Sequence, residues 1–82
     1  MMDPNRIKEL IENQLPDCTA LIFNDMGDGE HFAAEVVSSA FEGLNLVKQH
    51  QLVYGTLGDH MKSDIHALAL KTFTPEQWAQ RS

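Results

Sequence analysis

The sequence predicts an α/β sandwich in the order α-β-β-α-α-β-α, with a three-stranded mixed sheet covered by helices. Three observations carry that reading. An amphipathic opening segment stops at a proline, and two strand-like runs then flank an Asp28-Gly29 turn. A helical stretch next separates the second run from a third. A tight turn joins antiparallel strands, whereas a crossover of a dozen or more residues makes the strands it joins parallel. The sheet is therefore mixed.

Each element has its own warrant. Asp3 suits a helix N-cap and Pro4 the first helical position. Ile7, Leu10, Ile11 and Leu15 share one helical face, and Pro16 ends the helix, which predicts a helix over 4–15. "CTALIFND" and "HFAAEVVSS" read as two strands of a hairpin over 18–38, with Phe32, Ala34 and Val36 on one face of the second. Leu46, Val47, His50, Val53, Tyr54, Leu57 and Met61 fit a helical stripe that Gly55 and Gly58 interrupt. This predicts a helix over 44–55, a turn, and a short helix over 56–62. Alternation in "DIHALALKT" gives a strand over 65–72. Thr74 with Gln77 three positions on forms a capping box, and Pro75 opens the last helix.

Composition narrows the function. At 82 residues the chain is a single domain with a modest core. One cysteine, Cys18, forms no internal disulfide and no thiolate zinc site alone, which points to a reducing compartment. No apolar run approaches the roughly 20 residues that span a bilayer, and the first ten residues carry no signal-peptide core, so a cytoplasmic protein without membrane contact is expected. A net charge of −6 argues against a protein that tracks phosphates, because such affinity comes from Lys and Arg. No P-loop, GxGxxG, serine elbow or acid–base pair is present, and Cys18 reads as a small hydrophobe, so an enzyme is not expected.

The histidines His31, His50, His60 and His66 form no HxxxH pair. His66 stands in an otherwise aliphatic strand, on the side of Leu68 and Leu70 and near the strand's start. By pattern alone, a half-buried histidine bonded to a backbone carbonyl ranks ahead of a metal ligand there. His31 opens the second strand directly after the turn, and His50 lies mid-helix between two glutamines.

Four features together change that ranking. They are Phe41-Glu42-Gly43, the Leu-Val-x-x-His-x-x-Val-Tyr run ending at Tyr54, Ile65-His66-Ala67-Leu68, and Thr72-x-Thr-Pro-Glu-x-Trp ending at Trp78. In order and spacing they resemble the BolA-like family, and the short "GDGEHF" turn resembles its acid-stress branch. The resemblance implies a fold like a class II KH domain. It also implies a non-enzymatic adaptor in iron–sulfur cluster trafficking and iron homeostasis. Family members pair with monothiol, CGFS-type glutaredoxins, either sharing a bridging [2Fe–2S] cluster with glutathione or in a cluster-free complex. His66 matches the family's cluster-ligand histidine. The second ligand, usually a Cys or His of the turn between the first two strands, falls to His31 or to Asp28. Imidazole ligation raises a cluster's potential and suits a labile carrier. The chain itself is expected to be a monomer or a weak homodimer.

The resemblance also implies a second reading, a KH-like DNA-binding transcriptional regulator of stress response. Its cationic or near-cationic contacts are Lys48, His50, Lys62 and Lys71. No arginine stands on that face for base edges, and a backbone-clamping GxxG loop is not evident. With net charge −6 this reading ranks second.

Overall fold

A computed structural model describes residues 3–23, 31–63, 65 and 67–81, with the backbone alone at 62, 63 and 67. The element order matches the sequence reading: α1 (Pro4–Gln14), β1 (Thr19–Phe23), β2 (His31–Val37), α2 (Leu46–Leu57), α3 (His60–Ser63), β3 (Ala67–Phe73) and α4 (Pro75–Gln80), with a short 3-10 turn at Ser39–Phe41.

The Asp3 carboxylate accepts from the Asn5 N–H at 2.9 Å and starts α1. Leu15 is already extended, with φ −115 and ψ 142, as the residue before Pro16 should be. Ile7 and Ile11 are fully buried. β1 and β2 pair antiparallel with Thr19 opposite Val37 and Ile22 opposite Ala34. The Asp28-Gly29 turn between them lies outside the described residues. β3 runs parallel to β2, from His31 opposite Ala67 to Val37 opposite Phe73. The sheet order is β1-β2-β3, so β1 and β3 are its edges.

Alternation divides the sheet faces. Ala20, Ile22, Phe32, Ala34, Val36, Leu68 and Leu70 turn inward to meet Ile7, Ile11, Phe41, Val53, Leu57 and Ile65. The opposite face exposes Leu21, Phe23, Ala69 and Lys71. α4 folds back at one end of the sheet. There the Trp78 ring meets Phe73 edge-on at 5.2 Å, the Arg81 guanidinium lies 3.8 Å over Trp78, and Arg81 reaches Glu35 at 3.6 Å. The capping box is present, Gln77 N–H to Thr74 Oγ1 at 3.2 Å and Thr74 N–H to Gln77 Oε1 at 2.9 Å.

The structure departs from the sequence reading in three places. β3 starts at Ala67 and ends at Phe73, two residues later at its start than alternation suggested. The break between the middle helices falls at Gly58, not after Gly55. α2 runs through Gly55 and stops where Gly58 takes φ 53, its N–H donating to Tyr54 O at 3.0 Å. Only a residue without Cβ adopts that backbone cheaply. Third, the apolar stripe of α2 coincides only in part with its buried face, sharing Val53 and Leu57 with it. Gln49, Val53, Thr56 and Leu57 face the core, while Leu46 and Val47 are 61% and 65% exposed.

Gln49 explains that rotation. Its amide Nε2 donates to Leu44 O at 2.8 Å and to Phe41 O at 3.3 Å, and its Oε1 accepts from Thr72 Oγ1 at 2.5 Å. One buried side chain thereby ties α2 to the Phe41–Leu44 turn and to β3. Burial of an amide costs little once its hydrogen bonds are made.

Candidate functional site

The crossover between β2 and β3 decides where the histidines go. Because β3 is parallel to β2, both strands begin at the same end of the sheet. His31, half-buried, opens β2 with Ala67, the first residue of β3, as its register partner. His66 immediately precedes Ala67 in the chain and, like Asp28, lies outside the described residues. Among the described residues no three His, Cys, Asp or Glu side chains come together as a metal site.

The residues of the nucleic-acid reading do not form one stripe. His50 and Lys71 line a groove of about 270 Å³ between α2 and β3, together with Leu46, Leu70, Thr72 and Phe73. Lys48 lines a different depression with Leu44, Gln51 and Leu52. The Lys62 side chain lies outside what is described. The His50 Nε2 is buried and has no hydrogen-bond partner among the described residues, and the His50 ring meets Tyr54 edge-on at 6.4 Å. Buried polar atoms without partners are uncommon in folded proteins.

Gly55-Thr56-Leu57-Gly58 does have G-x-x-G spacing, a match the sequence reading passed over. Residues 55–57 are the last turn of α2, and Thr56 and Leu57 are buried. The Thr56 hydroxyl donates to Val53 O at 2.6 Å. The four residues form a helix terminus here.

Cys18 packs against the core, and burial, with a smaller contribution from the Glu12 carboxylate and opposed by Lys8, pushes its thiol up to about 11. It is a poor nucleophile at neutral pH. Burial also raises the Glu12 carboxyl, but hydrogen bonds from Lys8 and from the Ala20 N–H, with the Lys8 charge, outweigh that and hold it below its ordinary value. Sequence reasoning missed both this pair and Gln49, because each matters through contacts that no spacing rule reveals.

Comparison with known proteins follows the same outline. Residues 12–77 match the family model of BolA-like protein. The chain is 35% identical over 80 residues to the acid stress protein IbaG of Escherichia coli K12, covering 96% of this chain and 92% of that one. It is 46% identical over 54 residues to the DNA-binding transcriptional regulator BolA of Vibrio cholerae, covering 66% of this chain and 51% of that one. The matched segment spans only 41% of the length of the human and orangutan proteins named BolA-like protein 1. Among solved structures, a BolA protein homologue from Coxiella burnetii superposes with a TM-score of 0.80 at 43% identity, covering 98% of this chain and all of that one.

Proposed function

The chain belongs to the BolA-like family, and from that premise we propose that it is a non-enzymatic, cytoplasmic adaptor that partners a monothiol glutaredoxin. In this reading it shares a [2Fe–2S] cluster through His66 and His31, or binds in a cluster-free form. One observation supports the ligand pair above the rest. The parallel register sets His31 opposite Ala67, the neighbour in sequence of His66. A [2Fe–2S] cluster takes four ligands from its protein surroundings, and two imidazoles on one iron raise its potential. Here two would come from this chain, with thiolates of the glutaredoxin and glutathione as the others. The cluster is cargo, and imidazole ligation favours its release.

Anaerobic reconstitution with a CGFS glutaredoxin, iron, sulfide and glutathione tests the reading. The heterocomplex should show a visible spectrum distinct from that of the glutaredoxin alone. His66→Ala should abolish that difference, and His31→Ala should shorten the cluster's lifetime. An unchanged spectrum and lifetime in both variants would sink the ligand assignment.

A second reading, DNA binding, is favoured by the name of the Vibrio cholerae relative and by the placement of Lys71 beside His50. Duplex titrations across salt concentrations separate the two. Sub-micromolar affinity at physiological salt that falls on Lys71→Ala would promote it.

A further inference from the structure

The two edges of the sheet are treated differently. Unpaired strand edges invite other chains, and proteins usually blunt them. The edge at β1 is blunted. Glu12 of α1 accepts from the Ala20 N–H at 2.8 Å, and Lys8 donates to Ala20 O at 2.8 Å, so two side chains occupy the groups that a further strand would use.

Among the described residues, the edge at β3 has no such cover. The Ser38 N–H donates to Phe73 O at 3.1 Å, so Phe73 turns its main-chain groups toward β2. These directions alternate along a strand, so Leu68, Leu70 and Thr72 turn theirs to the free edge. No hydrogen bond within the described residues uses the main-chain groups of Leu70 or Thr72 on that side. The same stretch forms one wall of the groove whose other wall is Leu46 and His50.

We propose that the groove between α2 and the free edge of β3 takes an extended segment of a partner protein as a fourth strand. An apolar side chain of that segment packs on Leu46 and Leu70 on the helix side, and a carboxylate on the other side faces Lys71. Each feature of the occupant answers a feature of the groove. Open main-chain groups are matched by another main chain, which is how strand addition gains its affinity. Leu46, 61% exposed, and Leu70 offer apolar walls on the helix side. Lys71 makes no ion pair within the described residues, and its register neighbour Glu35 pairs with Arg81 at 3.6 Å.

Two other occupants fit less well. A nucleic acid would meet a single lysine in the groove on a chain of net charge −6. A second copy would present "ALALKTF", which has no carboxylate for Lys71 and brings a second lysine instead. This surface lies three to six residues along β3 from Ala67, roughly 10–20 Å at the rise of a strand. It is therefore separate from the His31 end and stands whether or not a cluster is shared there.

The test uses the full ¹⁵N-labelled chain and an acetylated, amidated hexapeptide of alternating valine and glutamate. Saturable shifts and slowed hydrogen exchange at the Leu70 and Thr72 amides are expected. A valine–lysine hexapeptide should bind about fivefold more weakly, the scale of one exposed charge pair. Leu46→Glu, at a surface position that spares the core, should weaken the valine–glutamate peptide about tenfold or more. The proposal is overturned by shifts on the opposite sheet face at Phe23, Ala33 and Ala69, by equal binding of both peptides, or by no binding at millimolar peptide. It also fails if Leu46→Glu binds normally. Concentration-dependent shifts at Leu70 and Thr72 without peptide would assign the edge to a second copy. Tighter binding of oligothymidylate at the same amides would assign it to nucleic acid.

Discussion

Replacing Gln49 by leucine keeps the shape of a buried side chain and deletes three hydrogen bonds. The Leu44 carbonyl loses its 2.8 Å donor. The Phe41 carbonyl keeps one partner, the Leu44 N–H at 3.1 Å. The Thr72 hydroxyl loses its 2.5 Å acceptor but is half-buried, so water can reach it. The half-buried Leu44 carbonyl, left without its donor, costs about 1–3 kcal/mol, and the lost hydroxyl bond about 1. Apolar burial by the leucine returns about 1 kcal/mol. The net loss is about 2 kcal/mol, or roughly 8–16 °C in Tm for a domain of this size. Urea unfolding followed by Trp78 fluorescence and far-ultraviolet circular dichroism measures it. Thr72→Val removes only one bond and should cost about 1 kcal/mol. The double variant should lose less than the sum of the two, because both changes break the same contact. A Gln49→Leu loss under about 0.5 kcal/mol, or strict additivity with Thr72→Val, would refute the claim that this amide holds α2 in its observed rotation.

Three further outcomes follow from the geometry. A Cβ at Gly55, inside α2, meets nothing within 4 Å, so Gly55→Ala should stabilise by about 0.5–1 kcal/mol. Gly58→Ala, equally unhindered but at φ 53, should destabilise by about 1–2 kcal/mol. Equal effects of the two in chemical denaturation would remove the helix break from Gly58. The folded-state carboxyl of Glu12 lies below its ordinary value of 4.5, so its contribution is present above that value and is lost as pH falls through the folded pKa. Glu12→Gln should flatten the acid limb of the stability–pH curve, and an unchanged limb would count against the Lys8–Glu12–Ala20 clip. For Cys18, raised from 9.0 to about 11, the sign reverses: stability is full below 9.0 and declines as pH climbs toward 11. Iodoacetamide should label it slowly at pH 8 and faster near pH 11, whereas rapid labelling at neutral pH would contradict its burial.

Much of the fold was legible because local signals and global architecture agree here. Proline and caps bounded α1 and α4, alternation marked the strands, and the length of the crossover dictated that β3 lie parallel to β2. The apolar stripe of α2 misled because a core position is filled by Gln49, whose partners Phe41, Leu44 and Thr72 come from eight residues before it to twenty-three after it. Hydropathy scores such a residue as solvent-facing, since it cannot register hydrogen bonds made across the fold. The same limit hid the groove: Leu46 and His50 look like core in a helical wheel, and only packing leaves them beside an open strand edge.

The sequence by itself determined the element order, the mixed sheet, the family resemblance and the choice of His66 and His31 as residues to test. Those rest on periodicity, capping and spacing, which are properties of neighbours along the chain. The tertiary structure decided which face of α2 is buried, that His31 stands opposite Ala67, that β1's edge is closed by Glu12 and Lys8, and that no described residue closes β3's. Those depend on which residues meet across the fold, and hydrogen bonds between segments far apart in sequence leave no period to read.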